Sequence, residues 1–123
     1  MYSLEQVRKM FASYWTDDKG TLEAVRLCNE KTGYIIDPHG AVAWKAWYDM
    51  RNGGMEKLVN GDKGDISKPG MTANVPSWGQ EVIHKNAVGI ILETAHPAKF
   101  GATVQNSIGR TPSMPYRLEK VMH

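Results

Sequence analysis

The sequence has 123 residues, a formal net charge of +2, and 41% hydrophobic and 23% charged residues, values ordinary for a globular chain that buries one core. Its Lys and Arg residues are scattered, which excludes the basic stripe of a nucleic-acid or anionic-membrane binder. A lone cysteine, Cys28, rules out an intrachain disulfide, no apolar run nears the roughly 20 residues of a membrane span, and Met1-Tyr2-Ser3-Leu4-Glu5 lacks signal-peptide character, so a cytoplasmic chain is expected.

In chain order, Leu4, Val7, Phe11 and Tyr14 recur at helical spacing behind Ser3 and Gln6, which have the form of a capping box. A second helix is predicted from Thr21 as N-cap, with Leu22, Val25 and Cys28 on one face and Gly33 as its left-handed stop. Cys28 on that stripe reads as a small buried hydrophobe rather than a nucleophile. Tyr34-Ile35-Ile36 is a short β-branched run that stops at Asp37-Pro38, where Asp caps and Pro suits the first turn of a third helix. That helix carries Ala41, Trp44, Trp47 and Tyr48, an aromatic load that marks core, and ends at Asn52-Gly53-Gly54.

Residues 52–86 show little periodicity and much Gly, Asp, Lys, Pro and Asn, the composition of an inserted surface loop within a single domain spanning 1–123. Ala87-Val88-Gly89-Ile90-Ile91-Leu92 is continuously apolar and predicts a central strand of a parallel sheet, buried on both faces. Pro97 starts another helix, with Phe100, Val104 and Ile108 on one face and Gly109 as its stop, and Pro112 and Pro115 precede a short last helix bearing Leu118 and Val121. The expected class is α/β: a helix-rich, three-layer arrangement of five or six helices with an incomplete parallel sheet. A buried strand needs neighbours, yet only Tyr34 to Ile36 offers a second one, so strands from another segment or another copy are expected to complete the sheet.

The segment Thr94-Ala95-His96-Pro97-Ala98-Lys99-Phe100 strongly resembles the signature near the C-terminus of threonine synthases. Asp37-Pro38-His39-Gly40-Ala41-Val42 is similar to a second segment of that family, in the same order. The resemblance covers most of residues 1–50 and 87–118. It implies the C-terminal portion of a fold type II pyridoxal-phosphate (PLP) enzyme that converts O-phospho-L-homoserine and water into L-threonine and phosphate. The family's cofactor lysine lies in a Ser-x-x-x-Lys-Asp type of segment, and its cofactor phosphate in an Asn/Gly-rich loop. Neither stands in this sequence, which implies no catalytic residue here, no PLP bound by the chain alone, and the missing N-terminal portion or another copy of the chain as partner. Glu93, where a small residue is common, and the long segment 52–86 depart from the family pattern.

By the same resemblance Thr94 faces the pyridine nitrogen of PLP, where a neutral hydroxyl donates to an unprotonated nitrogen. Alternatively it caps the next helix, and both bonds can coexist. His96, Lys99, Asp37 and His39 are placed as neighbours of the active cleft, each beside a plainer role: His96 bonding local backbone, Lys99 facing solvent, Asp37 capping its helix and His39 marking only a helix start. His39, His84, His96 and His123 lack zinc-ligand spacing. Two other readings compete: a non-catalytic, self-associating domain derived from the same fold, and a small independent binder of PLP or an amino acid, which would need its own lysine or phosphate cradle.

Overall fold

The computed structural model of the protein describes residues 1–4, 6–7, 13–52, 70–71 and 88–122. The chain divides into two compact units, residues 1–17 with 45–90 and residues 18–44 with 91–123. The elements are β1 (Tyr14–Trp15), α1 (Asp18–Thr32), α2 (Pro38–Arg51), β2 (Gly70–Met71), a 3-10 turn (Pro97–Phe100), α3 (Gly101–Ile108) and α4 (Tyr116–Met122). Among the described residues the protein is helix-rich and its sheet is a single antiparallel pairing of β1 with β2, Tyr14 opposite Met71 and Trp15 opposite Gly70. Most of residues 52–86, expected to form a surface loop, lie outside the described set, as does Phe11.

In the first unit the capping box forms as its residues dictate: Ser3 N donates to Gln6 Oε1 at 2.8 Å and Gln6 N to Ser3 Oγ at 3.2 Å. Tyr14 departs from the expected helix and pairs in β1. Its hydroxyl donates to Asp49 Oδ2 at 3.2 Å, so the strand is tied to the end of α2, and Lys45 Nζ reaches Asp49 Oδ1 at 2.7 Å. Trp47 lies against the backbone of Gly89, where an added Cβ would stand 2.5 Å from the indole.

Among the described residues, the buried hydrophobic cluster lies in the second unit. Ala24, Val25 and Cys28 of α1 meet Ile36 and Ala41, and Trp44 and Ile108 pack against this cluster half-buried. Helix α1 starts at Asp18, three residues before the expected Thr21, with the Asp18 carboxylate complementing the positive end of the helix. It stops at Gly33, and α3 stops at Gly109; both glycines hold positive φ (74° and 71°), and their N–H groups close the last turns on Asn29 O and Gln105 O. Cys28 is buried as anticipated, 2% exposed.

Two expected strands are absent. Tyr34 to Ile36 carries no ladder: Ile36 packs in the core while Tyr34 turns outward, 54% exposed. Residues 88–94 are likewise unpaired, and Val88, Ile90 and Leu92 are exposed rather than covered. Gly89, Ile91 and Glu93, between them, are half-buried, the period-two alternation of an extended chain. An apolar run becomes a central strand only when neighbours take its backbone groups and helices cover both its faces. Among the described residues no segment does so, and the parallel sheet does not form.

Candidate functional site

The signature segment leaves the extended chain and enters a helix, and its residues determine how. Pro97 lacks an N–H and fits a first turn, and His96 at the cap, in extended conformation, accepts from Ala98 N through Nδ1 at 3.1 Å. Pro97 and Ala98 are buried beneath this turn while Lys99 faces outward. The cap is therefore His96, not Thr94, whose side chain stays exposed. Accepting through Nδ1 places the ring proton on Nε2, which leaves His96 one further donor.

Thr94, His96 and Lys99 line one open cleft of about 650 Å³, together with Tyr34, Glu93, Leu118 and Arg117. Asp37 and His39 do not line it. Asp37 is fully buried and acts as the cap of α2: its Oδ1 accepts from His39 N at 2.9 Å and lies 2.9 Å from His39 Nδ1. The His39 ring sits edge-on to Phe100 with centroids 5.0 Å apart. The two motifs thus meet through packing, with one on the cleft and the other behind it.

Glu93 joins them. Its Oε1 accepts from Asp37 N at 3.0 Å and its Oε2 from the Tyr34 hydroxyl at 2.5 Å. In the sequence Glu93 stood out only as a departure from the family pattern, directly after the apolar run. Nothing singled out Arg117, whose place on the cleft depends on how α4 returns. A smaller cavity of about 280 Å³ lies beside the same pair, lined by Cys28, Thr32, Tyr34, Ile36, Trp44, Ile91 and Glu93. No group of three or more His, Cys, Asp or Glu suited to a metal ion occurs among the described residues, and no described helix is long and apolar enough to cross a membrane.

Donation to Glu93 holds the Tyr34 phenol in its neutral form, with burial and the negative charge of Glu93 adding to the effect, so its pKa lies above the ordinary 10.0. Burial pushes the Cys28 thiol above its ordinary 9.0, partly offset by the Thr32 hydroxyl. Both groups bind protons more tightly folded than unfolded. Their contribution to stability is complete below the unfolded pKa values and is lost as pH rises through the folded ones. Urea midpoints followed from neutral to strongly alkaline pH are expected to fall in that alkaline window, and Tyr34→Phe should flatten the fall. A Tyr34→Phe profile that matches wild type would remove the phenol from this account.

The cleft thus lies at the entry to the proline-started turn, with Thr94 and His96 on its wall. Residues 75–123 match the family described as Threonine synthase, C-terminal. The threonine synthase of Escherichia coli (strain K12) is 29% identical over 102 residues, covering 83% of this chain and 16% of that protein. The match thus spans less than a fifth of the relative's length. No solved structure matches the chain significantly. Thr94, His96, Lys99 and Arg117 fall inside the family segment, whereas Tyr34 lies outside it.

Proposed function

We propose that this chain forms the C-terminal wall of a threonine synthase active site, acting with a segment that supplies the cofactor lysine. The reaction is conversion of O-phospho-L-homoserine and water to L-threonine and phosphate, and the cofactor is PLP. The observation that carries the reading is the gathering of Thr94, His96 and Lys99 on one cleft, with the Thr94 hydroxyl left free of the helix cap by His96. The cleft suits one edge of such a cofactor, since it offers a neutral hydroxyl, an imidazole N–H and cationic side chains. When bound, PLP supplies the electron sink that stabilises carbanionic species. Thr94 would offer its hydroxyl to the pyridine nitrogen, His96 would orient a neighbouring polar group through Nε2, and Glu93 holds the chain entering Thr94 through Asp37 N and the Tyr34 hydroxyl. Within the complete enzyme, of fold type II, residues 88–92 become a strand of a sheet whose other members come from the rest of the protein.

The test is an absorbance titration with PLP of this chain alone and mixed with the cofactor-lysine portion of a threonine synthase, followed by phosphate release from O-phosphohomoserine. PLP capture and phosphate release only in the mixture support the reading. In that mixture Thr94→Val is expected to lower kcat by about tenfold, the worth of one hydrogen bond to a buried polar group. A specific PLP adduct with the chain alone, or full activity of Thr94→Val, would overturn it.

The exposure of Val88, Ile90 and Leu92 favours a second reading, a non-catalytic domain that self-associates. Sedimentation of the isolated chain decides it: a concentration-independent monomer eliminates this alternative.

A further inference from the structure

We infer that the smaller cavity, of about 280 Å³, is a binding site for a small primary ammonium ligand with an apolar body, its charge held by Glu93. The inference goes beyond the threonine synthase reading and does not depend on it. All residues lining the cavity belong to the second unit. Cys28, Ile36, Ile91 and Trp44 give it an apolar lining, with Cys28 and Ile36 part of the buried cluster and Trp44 packed against it. Its volume equals that of about nine waters, room for a ligand of roughly eight non-hydrogen atoms.

The polar groups set the sign of the ligand. No Lys, Arg or His lines the cavity, and its hydroxyl donors are spent on the protein itself. Thr32 Oγ1 donates to Cys28 O at 2.8 Å while accepting from Tyr34 N at 3.1 Å, and the Tyr34 hydroxyl donates to Glu93 Oε2 at 2.5 Å. Acceptor capacity is what the lining has left: Glu93 takes one hydrogen bond on each oxygen, whereas a carboxylate has about four lone-pair sites. Glu93 is half-buried, and among the described residues it forms no ion pair. Its charge is felt across the lining. It adds to burial in raising the Cys28 thiol, and Tyr34, raised first by donation to Glu93, is raised further by the charges of Glu93 and Asp37.

A carboxylate in a partly apolar enclosure is costly until a cation joins it. An ammonium group brings that cation with three donors, and an aromatic ring such as that of Trp44 attracts it further. A short alkyl or aryl body on the same ligand covers Ile36, Ile91 and Cys28. A bare metal ion would find a single carboxylate in the lining and leave the apolar surface uncovered.

The probe is benzylamine, protonated near neutral pH, added to the isolated chain, with benzyl alcohol as an uncharged counterpart of the same size. Amide and indole resonances of residues 28, 32–36, 44 and 91–93 are followed. Benzylamine is expected to move them saturably with an affinity that falls as NaCl rises, and benzyl alcohol to bind about tenfold more weakly, the worth of one charge-assisted hydrogen bond. Glu93→Gln keeps an acceptor for Asp37 N and should weaken benzylamine about tenfold while leaving benzyl alcohol unchanged, with far-ultraviolet circular dichroism as the check on folding. Equal affinity for the two probes, binding that ignores salt, or shifts confined to residues 94–100 and 116–118 would overturn the inference. The comparison of the two probes on the wild-type chain decides it even where the variant unfolds.

Discussion

Glu93→Ala is expected to destabilise the second unit by about 2 kcal/mol, the cost of leaving a buried N–H without its acceptor. The donor concerned is the backbone N–H of Asp37, on a residue with no exposed surface, and Glu93 Oε1 accepts from it at 3.0 Å. The Tyr34 hydroxyl also loses its partner, but that group is reached by solvent and adds little. Glu93→Gln keeps an oxygen in place and should cost less than about 1 kcal/mol, as a neutral acceptor replaces a charged one. It should also lower the Tyr34 pKa, because the charge that favours the neutral phenol is gone. Urea denaturation at neutral pH, paired with ultraviolet titration of the phenol, reads both effects. An alanine variant as stable as the glutamine variant would show that the Asp37 N–H finds another acceptor.

Ile36→Ala is expected to cost about 3 kcal/mol, within the range seen when a buried isoleucine is cut to alanine. Ile36 is 4% exposed and packs with Ala24, Val25, Cys28 and Ala41, all small or medium side chains, so little can move in to fill the space. Ile36→Val should cost about 1 kcal/mol. The site also couples to Gly40, where an added Cβ would meet Ile36 Cγ1 at 3.0 Å and Asp37 Oδ2 at 3.2 Å. In the wild-type chain the gain of about 0.5–1 kcal/mol for replacing a helical glycine by alanine is offset by that contact. With Ile36 shortened, Gly40→Ala should turn stabilising, and a double-mutant cycle on thermal midpoints measures the coupling. Strict additivity would mean that Ile36 already shifts freely away from Gly40.

Local chemistry was legible in the sequence wherever a few adjacent residues decide the outcome. The Ser3–Gln6 capping box, the Gly33 and Gly109 stops, Asp37 as a cap, Pro97 at a helix start and Cys28 in the core all follow from backbone needs met within one or two turns. Thr21 misled because Asp18 also suits a helix N-terminus, and the two differ by less than one turn. Tyr14 misled because its apolar spacing fits a helix while its pairing partner, Met71, lies far along the chain. The segment 87–92 failed for a different reason: its composition records burial and pairing that the described residues do not supply. The motif singled out Thr94, His96 and Lys99, which line one cleft. Arg117 and the linkage by Glu93 depend on long-range approach, which spacing along the chain does not encode.

Asp37 also bears on how this chain balances durability against use. One of its carboxylate oxygens, Oδ1, serves the cap, while Oδ2 is buried with no hydrogen-bond partner. A serine would cap the helix about as well and would bring no second oxygen out of water. Asp37→Ser is therefore expected to be neutral or stabilising, read as an unchanged or raised urea midpoint. The substitution would act at the joint between α2 and the extended segment that delivers Thr94, where Glu93 accepts from Asp37 N.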